Sequence, residues 1–154
     1  MGKRKVKWVA GDNFLVPLND RSYGHGQVMS YEGRALNSAA CAFSSLRFES
    51  VVDDLEPVTD ENVIAVMFVT RDQLDSGGWR VVNNRPILHW EDTLDMRGLR
   101  SRGFVGAIIH GTAIVGNFLS AYHGLLPWNH YLDPEYFDKV LISPDRRPAS
   151  VILK

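Results

Sequence analysis

Residues 11–30 read GDNFLVPLNDRSYGHGQVMS. The apolar run Phe14, Leu15, Val16 and Leu18 leads into the turn-forming cluster Asn19, Asp20, Arg21 and Ser22, and a second run from Tyr23 to Met29 leads out of it. That pattern is a β-hairpin signature. Gly24 and Gly26 flank His25 and remove side-chain bulk from one face of the second arm, leaving room there for another backbone or a large side chain. Pro17 closes the first arm, where a missing N–H is tolerated. The natural product is a small, strongly curved sheet.

The chain around this hairpin has 154 residues, the length of one domain spanning 1–154, and is long enough to bury a sizeable core without metal or disulfide. Hydrophobic content of 45% and charged content of 23% are ordinary for a soluble globular protein. A net charge of −1 supplies no global field toward nucleic acid or anionic membranes, so neither is an expected partner and any electrostatic recognition has to be local. The single cysteine, Cys41, sits among Ala39, Ala40, Ala42 and Phe43, which suits a buried small hydrophobe in a reducing cytoplasm. The basic start MGKRKVKW is not followed by an apolar segment of export length, and the apolar stretch 104–119 is interrupted by His110, Thr112 and Asn117. Neither export nor anchoring is expected.

Working outward, residues 31–34 read as a turn, and 35–48 as either a strand or a close-packed segment of small residues. Residues 63–70, VIAVMFVT, form a continuous β-branched and aromatic run that suits a central strand covered on both faces. Residues 71–75 predict one helical turn closed by Gly77 and Gly78, and 79–82 a strand ending at Asn83 and Asn84. Residues 96–103, with Arg97, Arg100, Arg102 and two glycines, read as a mobile basic loop. Ile114, Phe118 and Tyr122 recur four apart and predict a helix over 113–123 capped by Gly124. Asp133, Pro134 and Glu135 open another helix, with Phe137, Val140 and Leu141 as its buried stripe. A last segment, 151–153, suits an edge strand. The expected fold class is α+β: a twisted, mainly antiparallel sheet or partly open β-barrel with two or three helices packed on one side.

Chemistry has few anchors in this sequence. The histidines His25, His89, His110, His123 and His130 show no metal-site spacing, and with one cysteine a structural zinc is not expected; no cofactor is implied. Gly-x-Ser-x-Gly, Walker and Gly-x-Gly-x-x-Gly motifs are missing. His25 is the best candidate for a chemical role, because its flanking glycines could expose it in a cleft. The charge pattern is more informative. Residues 48–70 lack Lys and Arg, while Glu49, Asp53, Asp54, Glu56, Asp60 and Glu61 gather in the first half, and Glu91, Asp92 and Asp95 form a second acidic group. Such a run is either a solvated loop that keeps a sheet edge soluble or a docking surface for a basic protein. Trp128 and Tyr131 suit closure of the core between the two helices, or part of an interface.

Several of these segments carry a family resemblance. The Gly11-Asp12 opening, the Phe-x-x-Pro-Leu strand at 14–18, the Tyr-Gly-x-Gly turn at 23–26, Gly-Leu-x-Pro-Trp at 124–128 and Asp-Pro-x-Tyr-x-Asp at 133–138 together resemble the immunity protein 26 family of bacterial polymorphic toxin systems. The resemblance covers both ends of the chain and leaves the middle unmatched. It implies a cytoplasmic protein that binds a cognate toxin and is not an enzyme. The carried-over residues Gly11, Asp12, Pro17, Tyr23, Gly24, Gly26, Trp128, Asp133 and Pro134 look mainly structural. If the toxin is a nuclease with a basic groove, Asp53, Asp54, Glu56, Asp60 and Glu61 are the expected toxin-binding residues. The Gly-Asp-led hairpin also resembles the opening of growth-inhibiting toxin endoribonucleases, which would call on His25 with Arg97, Arg100 and Arg102 to handle nucleic acid. A third alternative is a small-molecule enzyme with a pocket around His25 and Trp79.

Overall fold

The computed structural model describes residues 6–33, 36–88 and 94–154. β1 (Asp12–Pro17) and β2 (Tyr23–Glu32) pair antiparallel, Phe14 opposite Gly26 and Val16 opposite Gly24, so the predicted hairpin is present. The Leu18 N–H closes its turn on the Ser22 carbonyl at 2.8 Å, and the Asp20 carboxylate accepts from the Ser22 N–H at 3.0 Å. Tyr31 and Glu32, read as the start of a turn, continue β2 instead, because Ser38 and Ala39 lie opposite them; Arg34 and Ala35 are outside the described residues.

Gly26 is where the hairpin meets the core. A Cβ there would lie 2.5 Å from Phe14 Cζ and 3.0 Å from Phe43 Cδ1. Phe14 stacks on Trp79 with centroids 5.1 Å apart and planes 4° from parallel, and Phe43 stands edge-on to both rings. Gly26→Val is expected to push these rings apart and to cost about 1–3 kcal/mol. A lower urea midpoint at unchanged m-value is the corresponding readout; an unmoved midpoint would mean that the rings yield freely.

β3 (Ser38–Phe48), β4 (Val63–Val69), β5 (Arg80–Asn84) and β6 (Ile109–His110) complete a six-stranded open sheet in the order β5-β1-β2-β3-β4-β6. Every pairing is antiparallel except the short parallel contact of β6 with β4. With helices α1 (Asp72–Ser76), α2 (Met96–Ser101), α3 (Thr112–Tyr122) and α4 (Tyr136–Val140), the fold is α+β, a twisted and mostly antiparallel open sheet. β4 is buried along its whole length, as its unbroken apolar run requires. β3, which local pattern left undecided, is a strand because β2 and β4 supply its register on both sides.

Successive side chains point to opposite faces of the sheet. One face carries Phe14, Val16, Val28, Cys41, Phe43 and Met67 and is covered by α1, α3 and α4 through Leu74, Val115, Phe118, Leu119 and Phe137. Burial raises the Cys41 thiol well above its ordinary value, in keeping with an inert core position. Phe118, Trp128 and Phe137 meet within 5.8 Å of one another, and Tyr131 packs on Phe137, so Trp128 and Tyr131 do close the core between the two helices. The opposite face carries Met29, Ala40, Ala42, Val66 and Phe68.

Three local readings differ from the structure. Residues 96–101 form helix α2, not a basic loop: Met96 and Leu99, three apart, are buried against the second face while Arg97, Arg100 and Arg102 point outward. The Asp133 carboxylate accepts the Glu135 N–H at 3.0 Å within a turn, and the helix itself starts later, at Tyr136. Ile152 bridges Pro127, with the Trp128 N–H on the Ile152 carbonyl at 2.7 Å, so the C-terminal segment ties down the Trp128 loop and does not extend the sheet. Among the described residues no helix is long and apolar enough to cross a membrane.

Candidate partner-binding face

β3 and β4 are adjacent antiparallel strands that a tight turn could join, yet residues 49–62 separate them. This segment is a strap across the second face of the sheet. Midway along it the Leu55 carbonyl accepts from Asn13 Nδ2 of β1 and Asn83 Nδ2 of β5, both at 3.0 Å. Next the Val58 N–H donates to Gln27 Oε1 of β2 at 3.2 Å. The strap ends in a Thr59–Asn62 turn, where the Ser45 N–H donates to the Asn62 carbonyl at 2.8 Å. Leu55 and Val58 are the buried anchors. From β5 to β4 the strap passes four strand-to-strand steps, about 19 Å at roughly 4.8 Å per step.

Beneath it lies a buried polar network. His25 is fully buried, its Nδ1 2.8 Å from Ser44 Oγ and its Nε2 2.8 Å from Asn13 Oδ1. Asn13 uses its Nδ2 to donate to the Leu55 carbonyl and to Asn83 Oδ1, leaving Oδ1 as an acceptor. His25 therefore carries its proton on Nε2, and its Nδ1 accepts from the Ser44 hydroxyl. Each group is satisfied only while the ring is neutral, and burial pushes the His25 pKa down to about 4. Gln27 extends the network, donating to the Gly11 and Arg85 carbonyls at 3.2 and 3.0 Å. The expectation that flanking glycines expose His25 in a cleft is thus overturned. Gly24 and Gly26 are bare on the opposite face, where Leu119 and Phe14 fill their space. Trp79 stacks on Phe14 in that other layer, so His25 and Trp79 share no pocket.

The predicted toxin-binding residues Asp53, Asp54, Glu56, Asp60 and Glu61 are all exposed on the strap. They are spread along it and do not gather at one point. Asp54 pairs with Arg85 and accepts from Asn83 Nδ2 at 2.6 Å, at the β5 end. At the β4 end, Arg146 donates to the Asp60 and Glu61 carbonyls at 2.7 and 2.8 Å, which fixes the backbone and leaves both carboxylates outward. Of the second acidic group, Asp95 lies 3.6 Å from Arg102, while Glu91 and Asp92 are outside the described residues. The chain matches no family model, no curated protein and no solved structure.

The arginines of the nucleic-acid alternative are engaged in part: Arg100 pairs with Glu32 at 3.1 Å and Arg102 with Asp95. Of the other histidines, His89 is outside the described residues, and His110 packs edge-on to Tyr136 with its pKa lowered by burial. Burial, assisted by Arg47, takes His123 down to about 4. Among the described residues no three His, Cys, Asp or Glu side chains gather as a metal site. Gly11 holds a left-handed φ of 94° against the Arg85 carbonyl, and Asp12 accepts from the Val9 N–H at 2.9 Å and from Asn84 Nδ2 at 2.9 Å. These are structural roles, as the motif residues suggested. Sequence reasoning missed Asn13, Gln27, Ser44 and Asn83. Their signal was present: Asn13, His25 and Gln27 interrupt otherwise apolar strands at positions of one alternation.

Proposed function

We propose that the protein is a binding partner, not a catalyst, and that it neutralises a cognate toxin domain by stoichiometric occlusion, as the resemblance to immunity protein 26 implies. The single observation carrying this reading is the strap. Its carboxylates stand on a backbone pinned to β1 and β2 by the buried Asn13 and Gln27 and to β5 by the half-buried Asn83, so a charged surface is held ready with little ordering cost on association. Pre-set negative charge raises encounter rates with a basic partner and excludes acidic ones. The burial of His25, the side chain best suited to chemistry, fits the same reading.

Coexpression with a toxin domain encoded beside this chain tests it. Growth protection and a one-to-one complex are the expected results. Replacing Asp53, Glu56, Asp60 and Glu61 together by Lys is expected to slow association about tenfold or more at low salt, with a smaller effect at high salt. Substrate turnover by the purified protein, lost on changing one side chain, would defeat the proposal.

A further inference from the structure

β5 is the terminal strand of the sheet, so its outer edge has no strand neighbour among the described residues. Beside it runs a groove of about 540 Å³, walled by Val51, Val52 and Asp53 of the strap and by Arg80, Val81 and Val82 of β5. Val82 is the extra residue of a bulge: Asn83 and Val81 oppose the consecutive Asn13 and Phe14 of β1. A bulge bends its strand and re-aims a side chain. Asp53 and Arg80 are both exposed, and neither side chain has a hydrogen-bond or ion-pair partner among the described residues. Two unlike, unspent charges thus border a mixed groove that also presents Val51 and Val52, next to backbone N–H and C=O groups of an open edge.

We propose that this groove takes an extended segment of the partner protein, with a cationic side chain at Asp53 and a carboxylate at Arg80, separated by an apolar residue on the valines; this rests on the reading under Proposed function. An extended chain is the occupant that uses both the strand edge and alternate side chains. A small ion would leave one of the two charges bare. A second copy of this chain is disfavoured, because pairing β5 with itself would bring two acidic straps together. The groove is preformed, since Asn83 and Arg85, immediately after its β5 wall, hold Asp54 and Leu55 of the strap.

Selection of linear ten-residue peptides from a phage-displayed random library on the immobilised full chain tests this. Enriched peptides are expected to pair Lys or Arg with Asp or Glu across a short apolar spacer and to slow amide exchange at residues 80–84. Asp53→Lys and Arg80→Glu are each expected to weaken them about tenfold or more. The double variant is expected to bind the charge-swapped peptide. Both positions are exposed, so an unchanged melting midpoint verifies folding. No enrichment, peptides indifferent to both substitutions, or protection elsewhere would overturn the proposal. So would a concentration-dependent dimer abolished by Asp53→Lys, which would give the groove to a second copy. If toxin neutralisation survives both substitutions, the groove fails and the binding function stands. If peptide selection succeeds while no toxin is neutralised, the toxin reading alone fails.

Discussion

Acidification from pH 7 to pH 4 is expected to remove about 3 kcal/mol of stability through His25. The ring has an ordinary value of 6.5 and is held at about 4 in the fold, because burial disfavours its charged form. Between those values the unfolded chain binds the proton and the folded chain does not. The His25 contribution is therefore fully present above pH 6.5 and is lost as pH falls toward 4. Protonation also reverses the Ser44 hydrogen bond, since Nδ1–H would then donate to Ser44 Oγ and leave the hydroxyl proton without His25 as its acceptor. His123 shifts in the same direction and adds to the slope. The lowered carboxyls of Asp20 and Asp72 lose their contribution below the ordinary carboxylate value of 3.8, under this window. Urea unfolding at pH 7, 5.5 and 4 provides the measurement. His25→Gln is expected to be less stable at pH 7 and to show a shallower pH dependence that keeps the part due to His123 and His110; a variant with the wild-type slope would remove His25 as a source.

Trp128→Ala is expected to cost about 3–5 kcal/mol, a large part of the stability of a chain this size. Trp128 is almost completely buried, packs against Phe118 and Phe137, and donates from Nε1 to Asp138 at 2.9 Å. Arg147 lies over the same ring, 5.8 Å from its centroid. Truncation leaves a cavity between α3 and α4 and deprives Asp138 of its donor. Loss of a cooperative thermal transition, or a fall in its midpoint of about 10 °C or more, is the expected readout. Trp128→Phe keeps most of the volume and is expected to recover more than half of the loss; if it is as damaging as Ala, the Asp138 hydrogen bond outweighs packing.

The contrast between α2 and α3 shows how far local pattern reaches. α3 was legible because Ile114, Phe118 and Tyr122 recur at helical spacing over several turns. α2 was not, because only Met96 and Leu99 face the core and Arg97, Gly98 and Arg100 interrupt its short sequence. Likewise β4 could be assigned from its own composition, while β3 needed β2 and β4 to give its small residues a register. The acidic residues of the strap were visible as a charge run. Their line across the sheet was not, since it depends on Leu55 meeting Asn13 and Asn83 from distant parts of the chain.

By itself, then, the sequence determined the hairpin, a covered strand read over 63–70, a helix read over 113–123 and the acidic character of the run from Glu49 to Glu61. These follow from near-neighbour sterics and from the spacing of apolar side chains. Only the tertiary structure decided that His25 points inward, away from any cleft. Alternation along β2 assigns His25 and Gln27 to one face, but which face is sealed depends on where a non-local strap lies down. The same folding that buried the ring strung the exposed carboxylates of 49–62 out from the open edge of β5 toward β4.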